Sequence, residues 1–351
     1  MKKRIWSKAV SIFTAILLVV GIVPNTTITA LAAVGAPSQL YVGNKQVISG
    51  SDNATYWTTD TDGNLTQSAA DQSWNVKYDP ATVTLTLRGA TIQGGTNTGP
   101  APFGSGIYAQ CSIGQSVTLT IKLIGENTIT GYYGIYVNAE ISADSNGTDA
   151  SLTITGENNG SLEVSGSNHG IFVKSGTGNA SVTIENASVD AKTTQTNSGN
   201  AGVYVMSSLT ATKSPNISLS VDGGSLAASG TGNSDGILFY VGQSQATGAT
   251  TSLTVSENAI VDARNGGISA SRITVTLPTP TPTGNNSSGI VFDDKNGTVY
   301  GNVTLDESLT INQGETLTVP DGSKLDCNNN LTNKGTILAS GGTLEGTLSN
   351  G

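Results

Sequence analysis

The stretch Gly134-Ile135-Tyr136-Val137 returns along the chain as Gly106-Ile107-Tyr108-Ala109, Gly170-Ile171-Phe172-Val173, Gly202-Val203-Tyr204-Val205 and Gly236-Ile237-Leu238-Phe239. Fainter copies stand at Gly267-Ile268-Ser269-Ala270 and Gly289-Ile290-Val291-Phe292. Successive glycines are 28, 36, 32, 34, 31 and 22 residues apart. Self-similarity at that period is the mark of a solenoid, in which each repeat is one supersecondary unit stacked on the last.

Each unit has an internal grammar. A second apolar-alternating run follows the glycine phrase: Val117-Thr118-Leu119-Thr120-Ile121, Leu152-Thr153-Ile154, Val182-Thr183-Ile184, Ile217-Ser218-Leu219-Ser220-Val221 and Leu253-Thr254-Val255. Then comes a polar corner at Glu126-Asn127, Glu157-Asn158, Glu185-Asn186, Asp222-Gly223 and Glu257-Asn258, where Asn and Gly tolerate the left-handed backbone. A third run closes the unit, as in Leu162-Glu163-Val164 and Val261-Asp262-Ala263. Three strands in about 30 residues, alternating apolar with Thr, Ser, Asp or Tyr, make one coil with an inward and an outward face. The expected fold class is all-β: a single-stranded, right-handed parallel β-helix (β-solenoid) with an N-terminal cap and narrower C-terminal coils.

Outward from the repeats, residues 1–33 read as a secretory signal peptide. Lys2, Lys3, Arg4 and Lys8 precede an apolar run from Ala9 to Val23 and a small-residue site at Ala30-Leu31-Ala32-Ala33. Residues 34–95, with Trp57 and Trp74, differ in pattern and read as the N-terminal cap and first coil, the two tryptophans serving as cap core. Residues 96–277 are the repeats. Residues 278–284, Pro-Thr-Pro-Thr-Pro-Thr-Gly, form a loop thrown out from the solenoid or a linker. In residues 285–351 Leu and Ile recur every six to eight positions, as in narrower coils. No C-terminal cap is evident, which fits a chain that continues into further domains of a longer surface protein or stacks on a partner.

Composition narrows the function classes. Loss of the four cationic leader residues takes the formal charge from −9 to −13, which argues against nucleic acid or an anionic membrane as partner. The two cysteines, Cys111 and Cys327, lie too far apart in a stack to be joined and read as buried apolar residues. His169 is the sole histidine, so any Ser-His or Cys-His nucleophile would need it; at a repeat corner it reads as an exposed turn residue. No catalytic residue is assigned. The address implied is secreted or extracellular, with retention at the cell surface as the alternative to free secretion.

Two sets of residues are candidates for binding. Tyr108, Tyr136, Phe172 and Tyr204 each follow the inward Ile or Val, so alternation points them outward in a column, either as a platform for sugar rings or as an aromatic ladder that stabilises the sheet. Gln110, Asn138 and Lys174 stand beside them as possible partners for hydroxyls. Glu126, Glu157, Glu185, Asp222 and Glu257 occupy equivalent corners, either as a row of hard oxygen ligands for calcium or as solvated corners. A second outward row reads Thr130, Glu163, Asp190, Ala227 and Asp262. Asp60-Thr61-Asp62-Gly63-Asn64 and Asp144-Ser145-Asn146-Gly147-Thr148-Asp149 resemble fragments of calcium loops but read as turns.

The Gly-Ile-Tyr repeats, the Leu-Thr-Ile-x-Gly-Glu-Asn phrase and the leading Leu40-Tyr41-Val42-Gly43, Tyr78-Asp79-Pro80 and Leu85-Thr86-Leu87 resemble secreted β-helix proteins of clostridia-like Gram-positive bacteria. Over roughly residues 35–292 the chain is similar to the clostridial carbohydrate-binding β-helix family. The resemblance implies a pectate-lyase-like fold, binding of plant polysaccharides such as pectate and cellulose without cleavage, and bound calcium. It transfers no ligand residue by residue. Three functions stand: a non-catalytic polysaccharide-binding or adhesive module, a structural stalk, and a calcium-dependent lyase built on Arg264 and Arg272 near Asp262, Asp222 and Asp190.

Overall fold

The computed structural model describes residues 35–351 apart from 44, 51–52, 71, 96–103, 140–147, 209–213, 243–247, 273–274, 277–278 and 283–286. The signal peptide and most of the Asp144–Asp149 turn therefore lie outside the described residues. Those described contain β-strand and turn but no α-helix, and none is a helix long and apolar enough to cross a membrane.

The body is a parallel β-solenoid with three faces. Strands of the first face stack in strict register: Thr120, Thr153, Thr183, Ser220 and Thr254 are successive Cα partners. On the second face Leu162, Val189, Leu226 and Val261 align, and the next strand in the stack, Gly289–Asp293, places Val291 on that column. The third face aligns Ile107, Ile135, Ile171, Val203, Ile237 and Ile268. The second- and third-face columns, together with the inward first-face column Leu119, Leu152, Val182, Leu219 and Leu253, are fully or almost fully buried and form one continuous core from Leu40 to Val291. Each such side chain contributes roughly 1.5–3 kcal/mol by leaving water.

The recurring glycine is needed for space. A Cβ at Gly170 would stand 2.6 Å from the carbonyl oxygen of Gly202 in the next coil, and one at Gly202 would stand 2.5 Å from Ala191 O and 2.7 Å from Ser229 N. The glycine column thus lets the third face approach the second at a corner too tight for any side chain. The corners after the first face use the other property of glycine and asparagine. Asn158, Asn159, Asn186, Gly223, Gly224 and Asn258 all have positive φ. In the first unit Gly125 takes that conformation, and Asn127 is buried instead, accepting from Ala90 N at 2.9 Å and donating to Gly125 O and Ser161 O.

Antiparallel strands close the N-terminal end. Thr55–Thr59 pairs with Leu65–Ser68 on one side and Val76–Asp79 on the other, and Thr84–Arg88 joins the antiparallel cap to the parallel first face. Trp57 is buried in this cap, whereas Trp74 lies half-buried on its outer surface beneath the Arg88 guanidinium, 4.4 Å from the ring centroid. The expectation of two core tryptophans therefore holds for Trp57 only.

Beyond the repeats, Pro280 and Pro282 are buried and Thr279 donates to Ile268 O, so this Pro-Thr stretch packs on the body. Pairing of Gly289–Asp293 with Ala259–Asn265 carries the stack past it. The coils that follow are shorter. Asn302, Lys324 and Thr343 are successive partners at intervals of 22 and 19 residues, around a smaller core that includes Phe292, Leu305, Ile311, Leu317 and Leu325. Cys111 and Cys327 are both buried.

Candidate functional site

The aromatic column exists as a register. Tyr41, Tyr108, Tyr136, Phe172 and Tyr204 are successive partners across the third face, and Leu238 continues the line. The rings point away from the main core and form a cluster of their own. They are not open to a ligand, however. Tyr108, Tyr136 and Phe172 are only 3, 5 and 7% exposed, and Tyr204 is part-buried. The reason is the coil spacing. Neighbouring strands lie about 4.8 Å apart, which brings rings on adjacent coils into contact: Tyr108 meets Tyr136 edge-on at 5.3 Å and 61°, and the rings that follow lie flat on one another. Tyr136 and Phe172 stack at 4.8 Å with an interplanar angle of 8°, Phe172 and Tyr204 at 4.9 Å and 18°. The faces that a sugar would need are taken by neighbouring rings. The expectation of exposed faces is corrected accordingly, and the ladder alternative describes the column.

His169 corrects a second expectation. It is 4% exposed and belongs to the ring cluster, stacked on Tyr133 at 5.5 Å and edge-on to Tyr204 at 4.8 Å. Its Nδ1 accepts from the backbone N–H of Ala201 at 3.2 Å, and burial drives its pKa down to about 3, so the ring is neutral. Burial likewise pushes the Tyr133 and Tyr204 phenols up. These groups are fixed in their neutral forms by an apolar setting.

Where the cluster reaches solvent, it does so through residues the repeat phrase does not include. Tyr132 and Tyr133 are half-buried, meet edge-on at 4.8 Å, and both receive hydrogen bonds from the Asn168 amide, at 3.2 and 3.3 Å. The signal available in the sequence was the Tyr-Tyr pair immediately before Gly134, where other units carry Ser105, Asn168-His169 or Asp235. Beside the column, Tyr108 bonds Gln110, while the buried Asn138 Oδ1 has no hydrogen-bond partner.

The carboxylates do not form one row. Glu185 and Asp222 are register partners, but Thr155 and Ser256 flank them on that line. A bulge moves Glu126 opposite Ser161, Glu157 pairs with Lys122, and Glu257 sits in the left-handed corner at φ 53°. Extra residues at the corners break the alignment that equal spacing suggests. Among the described residues no three His, Cys, Asp or Glu side chains gather closely enough to hold a metal ion. The second row does align from Glu163 through Asp190 and Ala227 to Asp262, with Thr128 in place of Thr130 at its head. In the Asp60 loop, Oδ1 accepts from the N–H groups of Asp62 and Asn64, each at 2.9 Å, which makes it a turn closed by its own carboxylate.

Arg264 is committed elsewhere. Its Nε and Nη2 donate to Asp262, Nη1 to Thr310 O at 2.8 Å and to Glu315 Oε2 at 2.9 Å, and the guanidinium lies 4.5 Å from the Phe292 centroid. The Asp262 hydrogen bonds raise its pKa further and hold the guanidinium in its charged form. Arg272 ends the strand Ile268–Arg272, and its side chain lies outside the described part. A cleft of about 60 Å³ between Glu257, Asn258, Asp306 and Glu307 is far below the roughly 300 Å³ of the smallest ordinary ligand pockets. Comparison with protein-family models, curated proteins and solved structures finds no match.

Proposed function

We propose that the chain is a non-catalytic extracellular β-solenoid whose primary role is structural, a rigid stalk or spacer at the cell surface. The observation that carries this reading is the aromatic ladder: Tyr136, Phe172 and Tyr204 stack face to face and Tyr108 packs edge-on against Tyr136, which stiffens the third face and leaves these rings closed to a ligand. The locked Arg264 and the broken carboxylate row support the same reading. Secretion rests on the leader in residues 1–33.

A second reading, polysaccharide binding, is favoured by one observation, the solvent-reaching Tyr132–Tyr133 pair held by Asn168. Phenol rings of fixed orientation with an amide between them suit a sugar's apolar face and hydroxyls. Membership of the clostridial carbohydrate-binding family, with its calcium, goes with this second reading. Retention of the chain on insoluble and gel-immobilised polysaccharides, with and without Ca²⁺, separates the two. The structural reading expects passage through every matrix. Retention on one glycan, lost in Tyr132→Ala/Tyr133→Ala, would replace it with the second.

A further inference from the structure

The outer surface of the first face has a composition that solubility does not explain. Its central outward column reads Thr120, Thr153, Thr183, Ser220, Thr254, all in register. The column two residues earlier reads Thr118 followed by four serines, again in register. Every outward position in these two columns, over five coils, carries a hydroxyl. The column two residues later, built by the same repeats, accepts Lys122, Glu185 and Asp222. Water alone would tolerate charge in all three columns, so the charge-free pair of columns answers to something else.

The central hydroxyls are also available. Thr120, Thr153, Thr183 and Ser220 are part-exposed, Thr254 is exposed, and among the described residues none of the five makes a side-chain hydrogen bond. Thr120, Thr153, Thr183 and Ser220 stand on backbone fixed by ladder bonds on both sides, and Thr254 stands on the last strand of the face, paired on one. The result is a rigid two-dimensional array repeating by about 4.8 Å along the solenoid and about 6.6 Å along the strand.

A soluble sugar would touch two coils at most and would not demand five alike. An array of this kind is complementary to a ligand that is itself a lattice. We infer that this face binds the surface of ice. Hydroxyl oxygens at such spacings can take the places of lattice waters, and the threonine methyls exclude disordered water between them. A charged side chain would impose its own hydration shell on the lattice, which accounts for its absence from the two columns. Crystalline polysaccharide fits less well, because its ring faces stack on aromatic side chains and these columns contain none.

The experiment measures thermal hysteresis and inhibition of ice recrystallisation by the purified chain, by Thr153→Lys/Thr183→Lys, and by Thr128→Lys on the second face. Both activities are expected in the wild type and in Thr128→Lys, and a loss of both in the double variant. Far-UV circular dichroism establishes that the variants are folded, and Thr153→Tyr/Thr183→Tyr, with its high strand propensity, replaces the lysine pair if that one unfolds. Absence of both activities in the wild type, or undiminished activity in a folded double variant, overturns the assignment. So does retention on crystalline cellulose that these substitutions abolish without any effect on ice.

Discussion

Neutral imidazole is the form that the rings around His169 hold, and this has a consequence for pH. In the unfolded chain the residue takes a proton below about pH 6.5, whereas in the fold it does so only near pH 3. A depressed folded pKa means that its contribution is intact above pH 6.5 and is lost progressively as the pH falls toward 3, at about 1.4 kcal/mol per pH unit. Thermal denaturation between pH 7 and 4 should therefore show a steeper fall in Tm for the wild type than for His169→Gln. Equal slopes would mean that the imidazole is hydrated in solution. Nothing in the sequence placed this histidine inside, because its neighbours Asn168 and Gly170 are corner residues and Tyr133 reaches it from another coil.

At the scale of elements, Arg264 joins the broad coils to the narrow ones. It leaves the strand Ala259–Asn265 and meets Thr310 and Glu315 beyond it, with Phe292 beneath. Arg264→Met keeps the stem but removes the charge and the forked hydrogen bonds, leaving the part-buried Asp262 with only the backbone N–H of residue 264 and Glu315 with only Asn312, at a cost of about 1–3 kcal/mol. Hydrogen exchange should then quicken in Leu309–Ile311 and Thr316–Pro320 and stay unchanged in Ala150–Ser175; uniform change across the chain would deny the junction this role. The strands themselves were legible from alternation, and the corners from Asn and Gly. The partners of Arg264 were not, since Glu315 lies 51 residues away in a segment of different period. The aromatic column shows the same limit more sharply. Alternation gave its direction correctly, but whether a face is free depends on the distance to the next ring, which only the stack determines.

For the whole molecule, the two hydrophobic clusters matter more than the count of coils. Leu152 belongs to the larger and Leu317 to the smaller. Each, truncated to Ala, should cost about 2–5 kcal/mol, and since they share no partner the double variant should be additive within about 0.5 kcal/mol. Chemical denaturation of the four species measures this, and a coupling well above that figure would show one core where the structure has two. A repeat in which every unit touches only its neighbours made this architecture readable from period alone. The places where the period changes carried no such guide.

The ring ladder also gives the solenoid an optical character. Nine of the ten tyrosines precede the narrow coils, and several of them stand within about 5 Å of another ring along the third face. Excitation absorbed by one ring can pass to the next before it is emitted. The tyrosine part of the near-ultraviolet signal is therefore largely a property of the stacked column, separate from that of Trp57 and Trp74 in the cap, and the coils beyond Tyr300 are almost silent in it.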